Sequence, residues 1–315
     1  MNSQPNAVPE AALESQVFVP ADVSPPRPFY WSVRRELWEN HSIYIAPLAV
    51  AAVVLLGSLI SLVGLPRSMR TLATLDPAHQ SVMLAMPYSH AAWLLILTAF
   101  IVGVFYSLDA LHGERRDRSI LFWKSLPVSD LITVLSKVII PLAVLPALTF
   151  VIILALQLIM LLLSSAVLLM SGVGAATLWI RLPLFQMQLV LLYGLIVLAL
   201  WHAPIYAWLL LASGWAKRAT VLWVVLPPLV ISIFEKMAFR TSYFASLFKE
   251  RVFGFAANAF AFTTPDGAPV DPHLIPLAQL TPGKFLSSPG LWIGLIAAAA
   301  FLAAAIRLRR YREPI

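Results

Sequence analysis

Apolar runs long enough to cross a bilayer alternate along this chain with short polar stretches, and the alternation predicts an all-α polytopic membrane protein. About 20 helical residues at 1.5 Å each span the roughly 30 Å hydrocarbon core. Such runs fall at about 43–64, 90–108, 186–212, 219–234 and 291–306, within a membrane body covering 43–311. Residues 67–89 are more polar and contain proline, which reads as a connection. Gly214-Trp215-Ala216-Lys217-Arg218 reads as a tight basic turn. Pro227-Pro228 is expected to break the fifth span, as a gate or as a simple kink.

One stretch admits two readings. Residues 131–170 carry a single charge, Lys137, and as one helix would be about 60 Å long, twice the hydrocarbon thickness. A long span and a helical hairpin both satisfy the pattern, and the choice inverts the topology of everything downstream. The positive-inside tally does not separate them, because the basic residues divide equally well either way. The run has no Gly, Asn or Asp for a turn at membrane depth, and Pro141 and Pro146 lie too near its start to divide it. We therefore take six spans, with both termini cytoplasmic.

The polar segments have characters of their own. Residues 1–26 read as a disordered cytoplasmic tail. In 27–42, Tyr30, Val33, Leu37, Trp38 and His41 recur at helical spacing, with Arg34, Arg35, Glu36 and Glu39 on the other side. That pattern predicts an interfacial amphipathic helix with its aromatic face among the headgroups. Residues 235–288 read as an external segment. Met237, Phe244, Leu247, Phe248, Val252 and Phe255 outline one or two short interfacial helices there, and 263–289 is a Pro- and Gly-rich loop. The densest polar island is the loop 109–130, where Glu114-Arg115-Arg116-Asp117-Arg118 places five charges in a row. At a helix centre each would cost roughly 2.5–3.5 kcal/mol, so the block belongs outside the bilayer.

Composition agrees with the pattern. The chain is 60% hydrophobic and 12% charged, with mean hydropathy +0.84, against about 45–50% and 25% in soluble domains. The net charge of +7 suits basic membrane rims and is no argument for nucleic acid. With no cysteine, disulfides and thiolate metal sites are excluded.

Candidate chemistry is found mostly by elimination. Pro282-Gly283-Lys284-Phe285 lacks both the upstream Gly and the following Ser or Thr of a phosphate-binding loop, so no Walker motif is present. Neither H-E-x-x-H nor any Cys/His metal spacing occurs, and no catalytic constellation stands out. His202, within Trp201-His202-Ala203-Pro204 of the fourth span, is a functional candidate by its depth; the alternative is a neutral histidine hydrogen-bonded inside the bundle. Span centres are otherwise nearly free of charge, which argues against an ion-coupled relay.

The run Gly113-Glu114-Arg115-Arg116-Asp117-Arg118-Ser119-Ile120-Leu121-Phe122-Trp123-Lys124-Ser125-Leu126-Pro127-Val128-Ser129-Asp130, with Val134-Leu135-Ser136-Lys137 after it, resembles the signature segment of bacterial ABC-2-type transporter permeases. The order of interfacial helix, six spans and short interfacial or re-entrant helices before the last is similar too. The resemblance implies a permease in the bacterial plasma membrane, paired with a second copy or a related partner and with two cytoplasmic ATPase subunits. No cofactor would be bound by this chain, ATP and Mg belonging to the ATPase. The loop would be its docking element: Ile120, Leu121, Phe122 and Trp123 as apolar anchor, with Glu114, Arg115, Arg116, Asp117 and Arg118 fixing register. A loop simply held against the headgroups is the plainer alternative. A membrane anchor without transport and a membrane-embedded lipid-modifying enzyme are the competing functions. The apolar spans fit a hydrophobic or amphipathic cargo.

Overall fold

The computed structural model describes residues 28–72, 74–117, 119, 129–264, 267 and 269–311. The N-terminal tail, Arg118 and the anchor Ile120, Leu121, Phe122 and Trp123 lie outside the described residues. Among the described residues six helical stretches are long and apolar enough to cross a membrane: Ser42–Leu72, Pro77–Arg116, Asp130–Met170, Ala176–Trp215, Thr220–Phe239 and Pro289–Tyr311. Helix α1 (Pro28–Glu39) precedes them. The first stretch comprises α2 (Ser42–Ser61), a 3-10 turn and α3 (Leu65–Leu72). The second comprises α4 (Pro77–Asp109) and α5 (His112–Arg116). The third comprises α6 (Asp130–Ile139), a π turn at Ile140–Val144, and α7 (Leu145–Met170). Helices α8 (Ala176–Arg181) and α9 (Leu184–Trp215) form the fourth, and α10 (Thr220–Phe239) the fifth. Short helices α11 (Tyr243–Phe253), α12 (Phe255–Ala259) and α13 (Pro282–Ser287) lead to the last span, α14 (Pro289–Tyr311).

The ambiguous stretch is one continuous span and not a hairpin. Its π turn contains Pro141, where the missing N–H would otherwise interrupt the ladder, so the helix widens for a turn and carries on. Residues 67–89 are not an extended connection. Helix α3 occupies the start, and α4 begins well before position 90 because Asp76 caps it. The Asp76 carboxylate accepts the His79 N–H at 3.3 Å and faces His79 Nδ1 at 2.6 Å, while Pro77 sits in the first turn, where no N–H is needed. In the 263–289 loop, α13 is likewise a helix that sequence pattern did not show.

Pro227-Pro228 does not break the fifth span: α10 runs unbroken through both. Pro228 frees the carbonyl of Val224 four residues earlier, and Trp208 Nε1 of α9 donates to that oxygen at 3.2 Å. In lipid a freed carbonyl needs a partner from a neighbouring helix, and here it has one.

Among the described residues four apolar clusters hold the bundle, two of them large. One lies where α2, α4 and α7 meet, around Leu95, Ile153, Leu161 and Leu168. The other joins α4, α6, α9 and α14, around Tyr106, Val134, Leu210 and Ala305. Helices α9 and α14 pack most extensively. Gly103 of α4 lets the Tyr206 ring of α9 come close, since a Cβ there would stand 3.0 Å from the ring. Helix α10 is peripheral, with only Thr220 buried.

Candidate functional site

Where α1, α5, α6 and the end of α14 converge, the charged island meets the bundle. Glu114 of α5 is buried, and three cations from three other helices surround it. Lys137 Nζ stands 3.1 Å and Arg35 Nη2 3.0 Å from Glu114 Oε1, while Arg309 Nη1 of α14 binds Oε2. Lys137 also donates to Glu36 Oε1 at 2.8 Å, and Arg35 does so at 2.6 Å. The other oxygen of Glu36 accepts from Tyr106 Oη at 2.8 Å. Arg309 Nε completes the set by pairing with Asp130 at 3.1 Å. Glu36 and Lys137 are 1% and 2% exposed.

Three cations thus face the carboxylates of Glu36, Glu114 and Asp130, and on the exposed side Arg35 Nε also pairs with Glu39 at 3.6 Å. Taking such ions out of water costs several kcal/mol each, which only close pairing and saturated hydrogen bonding repay. Burial pushes the Glu36 carboxyl up, but Lys137 and Arg35 beside it more than offset this, so its pKa lies below the ordinary 4.5. At neutral pH Glu36 is therefore an anion.

Arg115 is buried as well, with Nη1 donating to the carbonyls of Gly214 and Ala216 at 2.8 and 3.2 Å, at the end of α9. The Leu111 N–H donates to Ser213 Oγ at 3.0 Å. The base of the loop is thereby fixed to the fourth span, and Glu114 fixes it to α1, the third span and the sixth.

These positions correct two expectations. Glu114 and Arg115 do not lie on a free outer face of the loop: both turn inward, because Lys137, Arg309 and the open carbonyls of the α9 terminus offer partners that water would otherwise have to supply. Arg116 and Asp117 remain exposed and pair with each other at 3.1 Å. In α1 the face toward the bundle carries Glu36 together with Val33 and Leu37, while Tyr30 and Trp38 are exposed. The supposed polar face is thus partly an inner one. Lys137 across the interface draws Glu36 inward, and Arg34 lies over the Trp38 ring at 4.5 Å on the outer side.

His202 and Pro227-Pro228 lie away from this cluster. His202 Nδ1 faces the Leu198 carbonyl at 3.0 Å and Nε2 the Val252 carbonyl at 3.2 Å, so the ring joins α9 to α11. Sequence reasoning missed Arg35, Glu36, Tyr106, Lys137, Asp130 and Arg309 as a group. The signal was Lys137, a lone cation at the margin of a long apolar run that needed a buried anion. Among the described residues no group of His, Asp and Glu is placed to hold a metal ion.

The fold and this site define a class: a multi-pass, all-α membrane protein. Comparison with protein-family models, curated proteins and solved structures finds no match.

Proposed function

We propose that the chain is the permease subunit of an ATP-driven ABC transporter, an exporter of hydrophobic or amphipathic cargo energised by a separate cytoplasmic ATPase. The supporting observation is the anchorage of the 113–130 segment. Glu114, at its base, bonds simultaneously to α1, the third span and the sixth. A partner pulling on the loop would act on these three elements at once through short ionic contacts, and on the fourth span through the hydrogen bonds of Arg115 and Leu111, which is what transmission from an external motor requires. In this reading Glu114 and Arg115 are the root of the docking element. Contact with the ATPase falls to Arg116, Asp117, Arg118 and the Ile120, Leu121, Phe122 and Trp123 anchor. A second copy completes the translocation path, and the termini face the cytoplasm.

The test is purification from native membranes, followed by ATP hydrolysis in nanodiscs. An ATPase should co-purify, and Phe122→Ala with Trp123→Ala should abolish its association while leaving insertion intact. A protein that carries no ATPase, or an ATPase indifferent to the loop substitutions, overturns the proposal.

A further inference from the structure

At the opposite end of the bundle, α4, α9 and the α12 region enclose a cavity of about 140 Å³. Ser89 lies 25 residues before Glu114 on the same span, so the cavity is roughly one bilayer thickness from the charge cluster. Its walls are largely apolar, with Ile96, Leu191 and Phe260 among them, and among the described residues no Asp, Glu, Lys or Arg lines it. Trp93 and Phe262, 48% and 40% exposed, line its open edge.

Among the described lining residues the polar side chains are Ser89, Gln157 and His273. Ser89 Oγ donates to the Ala85 and Met86 carbonyls, both at 3.0 Å, which commits its proton. His273 Nδ1, 3.2 Å from Ser89 Oγ, is then the donor of that pair, and in the tautomer with its proton on Nδ1 the Nε2 atom is an acceptor. Gln157 Nε2 donates one proton to the Tyr88 carbonyl at 2.9 Å and keeps a second, while its Oε1 accepts from Gln188. The wall therefore offers one acceptor and one donor to a neutral group that can both give and take a hydrogen bond.

We propose that this cavity binds an uncharged, ring-sized apolar group bearing a hydroxyl, phenol being the smallest representative. The volume is close to that of engineered apolar cavities that take benzene, about 150 Å³. A charged ligand would meet no carboxylate, lysine or arginine among the described lining residues, and a purely apolar one would leave the polar wall unmet. The site stands apart from the charge cluster, and binding here does not require an ATPase. The same ring chemistry is carried by free phenols and by lipids whose headgroup is a phenolic ring.

The experiment uses the full chain in nanodiscs and follows tryptophan quenching by 4-bromophenol, with empty nanodiscs as blank. Saturable quenching is expected, with bromobenzene weaker by about tenfold. His273→Phe, which keeps a ring and removes the acceptor, should weaken 4-bromophenol by a similar factor. Gly194→Leu should abolish saturable binding by filling the cavity, since Gly194 lines it and a Cβ there would stand 3.7 Å from Phe260. Ala92→Phe repeats the filling test at a second lining position, and only variants with wild-type thermal unfolding are compared. A 4-octylphenol that binds more tightly than phenol assigns the site to a lipid ring; one that is excluded assigns it to free phenols; both uphold the chemistry. Quenching that rises linearly, or saturable binding that survives both filling variants, overturns the proposal. Equal affinity for bromobenzene overturns the role of the hydroxyl.

Discussion

The two ends of the second span keep polar groups from lipid in opposite ways. At the α5 end, full charges from four elements pair in one network, with Glu36, Glu114, Lys137 and Arg309 buried at its centre. At the Ser89 end the described polar groups of the lining are Ser89, Gln157 and His273, and they lean on backbone carbonyls or on one another's hydroxyl rather than on ion pairs. The first arrangement fails as a unit when one ion is removed, because the remaining charges stay buried without compensation. The second tolerates the loss of a single group, because no net charge is left behind. The charged end therefore suits a joint that must move as one piece, and the neutral end suits a surface against which an apolar molecule rests.

The sharpest break of this contrast is Lys137→Met, which leaves Glu36 and Glu114 facing each other with one cation fewer. Loss of about 3–5 kcal/mol is expected, read from denaturant unfolding in mild detergent. A double-mutant cycle between Glu114→Gln and Arg309→Gln should return a coupling energy of about 0.5–3 kcal/mol, and near-additive effects would count against the joint. At the neutral end, Ser89→Ala should cost only about 0.5–1.5 kcal/mol in the same assay.

Acidification separates the ends by a gentler route. The Glu36 pKa is lower in the folded protein than in the unfolded chain, so its stabilisation is full above the ordinary 4.5 and is lost as pH falls through the depressed folded value. Wild type should thus lose thermal stability in that acidic range more steeply than Glu36→Gln. Parallel pH profiles would remove Glu36 from the account.

Much of this was legible in the sequence. Apolar runs marked the spans, the lack of turn residues within 131–170 kept that run single, and the five-charge block marked the polar hinge between the second and third. What the pattern could not show was partnership across long separations. Glu36, Glu114, Lys137 and Arg309 are far apart in the chain, and helical periodicity says nothing about which faces meet. Glu36 therefore read as the outer face of an interfacial helix. The proline pair in the fifth span misled for a related reason: whether a freed carbonyl breaks a helix depends on a donor elsewhere, and Trp208 supplies it.

The central claim, that Glu114 clamps the loop base to both α1 and α14, is tested most directly by a distance between those helices. The chain has no cysteine, so spin labels placed at the exposed positions Trp38 and Arg310 report without background. In nanodiscs the otherwise unaltered labelled protein should give one narrow distance distribution, and adding Glu114→Gln should broaden it and shift it outward. An unchanged distribution in the variant would contradict the account.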